Sequence, residues 1–120
     1  NVTLRGLEGN DTLLGGGGDD VLDGGDGIDA SEFTGSNIVL TDSSTPGAGS
    51  DTTISIESLQ LSAAGPGSVI DASAYTLGSV TIIGSGGDDT LRGGSGDDFI
   101  LAGGGADVVE GGGGADNLMG

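Results

Sequence analysis

The chain has 120 residues, a net charge of −17 from 19 acids against two bases (Arg5 and Arg92), 29 glycines and only 2% aromatic residues. So few large side chains argue against a rounded core and for a repetitive, thin-cored architecture; so acidic a chain argues against nucleic acid or an anionic membrane as partner and for a hard divalent cation. Cysteine and histidine are absent, which excludes disulfides, zinc sites and imidazole chemistry.

In chain order, residues 1–5 read as the tail of a repeat, because Asn1-Val2-Thr3-Leu4 parallels Ser79-Val80-Thr81-Ile82. Nine-residue units follow at 6–14, 15–23 and 24–32, and again at 84–92, 93–101, 102–110 and 111–119. Units 15–23, 93–101 and 111–119 read G-G-x-G-x-D-x-U-x, with U apolar. Units 6–14, 84–92 and 102–110 each change one of the first two positions, to Leu7, Ser85 and Ala102, and unit 24–32 puts Ser31 at U. The sequence Ile28-Asp29-Ala30-Ser31 recurs as Ile70-Asp71-Ala72-Ser73, which sets units at 66–74 and 75–83 in the same frame. Units 33–41 and 75–83 lack the aspartate and begin with Phe33 and Tyr75. Residues 1–26 and 79–104 align with each other, suggesting a longer super-repeat within a larger array. The chain begins and ends in mid-repeat and so reads as a fragment of a longer protein.

Residues 42–65 fall outside the frame. The stretch from Asp42 to Ser50 reads as a loop with Pro46-Gly47 turn chemistry. Thr53-Ile54-Ser55-Ile56-Glu57 alternates like a strand, and Leu59-Gln60-Leu61 suggests another. No helix is expected, because glycine is costly in helix interiors and no apolar stripe has helical spacing. The chain therefore divides into a first repeat stack at 1–41, an insertion with irregular strands at 42–65 and a second repeat stack at 66–120. No signal peptide or long apolar span is present, so membrane insertion by this segment is not expected.

The nonapeptide has a physical logic. Its glycine-rich first six residues turn sharply, and its last three form a minimal strand with U facing inward. Two units make a coil of eighteen residues, and coils stack about 4.8 Å apart by parallel pairing. The fold expected is all-β, a parallel β-roll or β-solenoid. Its core is a thin ladder of Leu13, Leu22, Leu40, Ile82, Leu91, Ile100, Val109 and Leu118. Each of these side chains contributes about 1.5–3 kcal/mol when buried, while ordering a residue costs on the order of 1–2 kcal/mol. Stacked aspartates add repulsion, and Ca²⁺ between turns reverses its sign, since the ion takes six to eight oxygen ligands. Binding free energy then becomes folding free energy.

The side-chain ligands expected are Asp11, Asp20, Asp29, Asp71, Asp89, Asp98, Asp107 and Asp116. Turn carbonyls would complete the shells: Gly6 and Gly9; Gly15, Gly16 and Gly18; Gly24, Gly25 and Gly27; Gly84 and Gly87; Gly93, Gly94 and Gly96; Gly103 and Gly105; Gly111, Gly112 and Gly114. Units two apart lie on one side, so Asp11 pairs with Asp29. Asp71, Asp89 and Asp107 form one column, and Asp98 and Asp116 the opposite one. Asp20 has weak partners, because the Asp-less units adjoin it. Asp19, Asp88 and Asp97, just before the ligand position, are expected to be solvated, and Asp23, Asp26, Glu32, Glu57 and Glu110 to be surface charges. Asp42 and Asp51 flank the insertion and are candidates for an extra ion.

These units resemble the RTX (repeats-in-toxin) nonapeptides of secreted bacterial proteins. The resemblance covers about three quarters of the chain, counting degenerate units, and several copies in one register make it specific. It implies a right-handed roll that is disordered without calcium and folded with it. It also implies type I secretion and an extracellular or cell-surface location. Ser31, the two Asp-less units and the 42–65 insertion depart from the pattern and break the run of sites. The function expected is a calcium-binding structural module of an adhesin, surface layer or extracellular filament; the alternative is the C-terminal repeat module of a secreted enzyme or toxin whose catalytic domain lies elsewhere. Catalysis by this segment is not expected, since it has no His, Cys or Lys to act as base or nucleophile. Open coils at both ends make end-to-end self-association a further expectation.

Overall fold

The computed structural model describes residues 1–16, 18–41 and 52–120. Among them are thirteen strands and no helix: β1 (Thr3–Glu8), β2 (Thr12–Leu13), β3 (Val21–Asp26), β4 (Ala30–Gly35), β5 (Asn37–Thr41), β6 (Thr52–Ile54), β7 (Ser58–Ala63), β8 (Val69–Ala74), β9 (Ser79–Ile83), β10 (Thr90–Arg92), β11 (Phe99–Leu101), β12 (Val108–Glu110) and β13 (Asn117–Met119). The loop expected at 42–50 lies outside the described residues, as do Asp42 and Asp51.

Every strand pairing is parallel. At both ends the chain advances one coil per eighteen residues: Thr3 lies opposite Val21, Thr12 opposite Ala30 and Phe99 opposite Asn117. The fold is a parallel β-roll. In the second stack each six-residue turn delivers a three-residue strand whose middle side chain points inward. Leu91 and Ile100 are fully buried on that account, Val109 is half-buried, and Leu118 in the last coil is exposed. Ser31 takes an inward slot as its place in the repeat requires. It is buried, and its hydroxyl donates to the Leu13 carbonyl one coil below at 2.6 Å. That bond satisfies a polar group which would otherwise cost free energy in the core.

The middle of the roll departs from two units per coil. The strands form three sheets, in the orders β1-β3-β6, β2-β4-β7-β9-β11-β13 and β5-β8-β10-β12. Only the two coils made of β3–β5 and β6–β8 contribute to all three sheets, so these coils carry three strands each and the others two. The cause is local. Residues 33–41 have no glycine-aspartate turn, so the chain runs extended through β4, bends near Ser36 and continues as β5. Larger side chains occupy the interior there: Phe33, Ile38, Ile56 and Tyr75 are all buried, and the Tyr75 hydroxyl donates to the Ile56 carbonyl at 2.6 Å. All of these join one continuous core running from Leu13 to Ala102. From the segment outside the repeat frame, β7 lies between β4 and β9 in the six-stranded sheet, with Leu59 and Leu61 inward.

The frame expected at 66–74 is also corrected. Val69, Ile70 and Asp71 lie opposite Thr90, Leu91 and Arg92, so this coil is three residues longer than the repeat and Ser68 stands where Asp71 was placed. Ile70 is fully buried whereas Ile28 is 64% exposed. The two Ile-Asp-Ala-Ser stretches thus sit in different registers, because the side chain that turns inward sets register, not the tetrapeptide.

Candidate metal centres

The repeat aspartates form ladders between coils. Asp29 accepts the Asp11 N–H on Oδ1 at 2.8 Å, Asp107 the Asp89 N–H at 2.8 Å, and Asp116 the Asp98 N–H at 3.0 Å. Asp20, Asp89 and Asp98 accept from Val2, Ser68 and Val80 in the same way, each at 2.8 Å. One carboxylate oxygen therefore ties each turn to the coil before it. The glycine-rich turns make this stacking possible. At Gly25 the backbone is left-handed (φ +97°), and a Cβ there would collide with the Leu7 carbonyl.

The second carboxylate oxygen of Asp11, Asp29 and Asp98 lies against the first glycine of its own unit. A Cβ on Gly6 would run into Asp11 Oδ2 and the Gly24 carbonyl; one on Gly93 would run into Asp98 Oδ2 and the Gly111 carbonyl. At Gly84 the facing group is the Ala102 carbonyl. Gly6 and Gly93 thus face oxygens of both their own and the next coil, whereas Gly15 and Gly111 face only their own unit's aspartate. Asp11 Oδ2 and Asp29 Oδ2 are buried with no hydrogen-bond partner. A buried carboxylate oxygen without a partner is strongly disfavoured, and carboxylate with carbonyl oxygen is the donor set of a hard cation. Among the described residues no three acidic side chains gather at one point, so carbonyls must supply much of any shell.

The electrostatics of the turns differ. Burial pushes the Asp98 carboxyl above its ordinary range; hydrogen bonds from the Val80 and Gly94 N–H groups oppose this, and the Asp116 and Asp97 charges reinforce it. Burial acts the same way on Asp89, but there it is outweighed by the Ser85 N–H at 2.7 Å and hydroxyl at 2.8 Å, with further help from Ser68, so its carboxyl is held low.

Three pairs of stacked turns result, carrying Asp11 with Asp29, Asp89 with Asp107, and Asp98 with Asp116. Asp20 stacks on Val2 and, on its other side, on Thr52, whose N–H its carbonyl accepts. Asp71 does not belong to the column expected of it. It lies in β8, where Ser73 and then Arg92, at 3.5 Å, hold its carboxyl low. Of the glycine carbonyls expected as ligands, those of Gly24 and Gly111 face the gaps, while those of Gly9, Gly87, Gly94 and Gly96 abut turn glycines of the next coil. The Ala102 carbonyl escaped the sequence reading because a backbone oxygen leaves no mark on side-chain identity.

A second ladder was also missed. Asn10, Asp88 and Asp97, one place before the repeat aspartate, accept the N–H of Ile28, Ala106 and Ala115 one coil on, at 3.0, 2.8 and 2.8 Å. Asp88 and Asp97 are exposed, yet they bridge coils. Their recurrence beside the repeat aspartate was the available signal.

The model of the RTX calcium-binding nonapeptide repeat matches in four copies, over residues 3–30 and 81–120, more than half of the chain. The chain belongs to this RTX family. Its nonapeptides bind Ca²⁺ at multiple sites, and the matched segments contain all three pairs of stacked turns. No curated protein matches the chain.

Proposed function

We propose that this chain is a structural module of a secreted or cell-surface bacterial protein of adhesin, surface-layer or filament type, and that calcium folds it outside the cell. The observation that carries this reading is the gap at Gly6, where the buried, unpartnered Asp11 Oδ2 and the Gly24 carbonyl of the next coil face bare glycine, an arrangement of carboxylate and carbonyl repeated at Gly93 with Asp98 Oδ2 and the Gly111 carbonyl. The ligands are Asp11 with Asp29, Asp89 with Asp107, and Asp98 with Asp116, together with the carbonyls of Gly24, Ala102 and Gly111. Calcium bound there would neutralise stacked carboxylates and bridge coils. The chain's own part is to hold the carboxylates by their Oδ1 hydrogen bonds, so that the unpartnered Oδ2 atoms of Asp11 and Asp29 are already aimed when the ion arrives. Type I secretion fits, since a chain that stays unfolded at low cytosolic calcium can be threaded through an exporter.

Equilibrium dialysis against millimolar calcium, followed by metal analysis, tests the reading. The paired turns call for at least three tightly held ions, and a chain that retains none overturns it.

A further inference from the structure

We propose a calcium site outside the nonapeptide pattern, formed by Asp29, the Ser55 carbonyl and Glu57 at the boundary between the first repeat stack and the middle coils. It rests on the calcium reading above and shares Asp29 with it, but its other two residues, Ser55 and Glu57, lie outside the matched repeats.

The argument is one of equivalent geometry. Within the repeats, each aspartate N–H is capped by the carboxylate one coil on, as Asp29 Oδ1 caps Asp11. No repeat aspartate follows Asp29. Glu57 takes its place: its Oε2 accepts the Asp29 N–H at 3.1 Å. Within the repeats, the first glycine faces its own unit's Oδ2 and the next coil's carbonyl, as Gly6 faces Asp11 Oδ2 and the Gly24 carbonyl. Gly24 in turn faces Asp29 Oδ2 and the Ser55 carbonyl. The three residues Ser55-Ile56-Glu57 thus do the work of a six-residue turn, with the longer Glu side chain supplying the reach.

Two further observations point to a ligand. Asp29 is fully buried, and its Oδ2, aimed at this gap, has no hydrogen-bond partner. The corresponding oxygens of Asp98 and Asp89 instead accept N–H groups from Gly94 and Ser85 at 2.7 Å. The Ser55–Glu57 segment is also fixed in place. The N–H groups of Glu57 and Ser58 donate to the Asp29 carbonyl at 3.2 and 2.9 Å, and the Tyr75 hydroxyl occupies the Ile56 carbonyl. The Glu57 carboxylate is held beside Asp29 by the bond to its N–H, and the two charges together match a single divalent ion.

The test compares calcium stoichiometry, by equilibrium dialysis with metal analysis, in the unmodified chain, Glu57→Gln and Glu110→Gln. Glutamine can still accept the Asp29 N–H, so Glu57→Gln removes the charge and keeps the contact. Glu110 is exposed and faces Arg92, not a turn. Glu57→Gln is expected to bind one ion fewer, and Glu110→Gln the same number as the unmodified chain. An unchanged count and affinity in Glu57→Gln overturns this site alone, whereas an unmodified chain that binds no calcium overturns the calcium reading as a whole. Should Glu57→Gln fail to fold, terbium titrated into Asp98→Asn, which lacks the carboxylate of the turn that abuts the Tyr75 carbonyl, decides. Tyr75 is the only tyrosine and tryptophan is absent, so tyrosine-excited terbium emission is expected from an ion held beside Ile56. Bound terbium without such emission overturns the site.

Discussion

Replacing Gly93 by alanine removes no ligand, yet it should abolish a calcium site. Gly93 is buried, and its Cβ would enter the gap between Asp98 Oδ2 and the Gly111 carbonyl. Its backbone is not left-handed, so conformation alone would let alanine stabilise the chain by about 0.4–1 kcal/mol. Gly86 supplies the control, because a Cβ there has no atom within 4 Å and its backbone is equally permissive. Overpacking at Gly93 costs on the order of 1–3 kcal/mol. An ion held at a hundred times its dissociation constant contributes about 2.7 kcal/mol more, which is lost if the methyl group excludes it. Net of the conformational gain, Gly93→Ala should therefore be less stable in saturating calcium by about 3–5 kcal/mol, fold at a higher calcium midpoint and bind one ion fewer. Gly86→Ala should gain slightly on all but the ion count. Urea unfolding in calcium, with metal analysis of the dialysed samples, reads both. Identical midpoints and ion counts for the two variants would refute the assignment of the gap as a cation cradle.

Two further outcomes follow from local structure. Leu7 occupies a glycine position of the repeat with φ at 83° and is 68% exposed, so Leu7→Gly should relieve left-handed strain and raise stability by about 1 kcal/mol; a lower urea midpoint would contradict this. The Asp71 carboxyl is held low, first by the Ser73 hydroxyl and also by Arg92. Its folded pKa lies below the unfolded value, so its contribution is fully present above the ordinary carboxylate range and is lost as pH falls through the folded pKa. Asp71→Asn should thus be less stable than the unmodified chain at pH 6, by a margin that shrinks as the pH is lowered below the ordinary carboxylate range, whereas a difference that does not change with pH would contradict the assigned cause.

The regular turns were legible because each unit carries its own instructions: glycines where coils abut, an aspartate that reaches the coil before, and one inward apolar side chain. Leu22, Leu91 and Ile100 are buried for that reason, and even Ser31 holds its inward slot. The middle was less legible. Phe33 and Tyr75 marked units without aspartate, but a missing turn does not say whether the chain pairs as two strands or three. Ile70-Asp71 looked like Ile28-Asp29, yet the coil gained three residues and the inward side chain changed. Glu57 looked like an outward residue of an alternating strand; its hydrogen bond to Asp29 depends on a contact 28 residues away that no motif encodes.

The central claim is that calcium closes this fold, and a calcium titration followed by far-UV circular dichroism, with magnesium as control, tests it most directly. The account predicts a largely unordered spectrum in excess chelator, a cooperative rise in β-structure with calcium, and little change with magnesium, which dehydrates reluctantly and demands tighter octahedral geometry. A fully formed β spectrum in chelator, unaltered by added calcium, would contradict it.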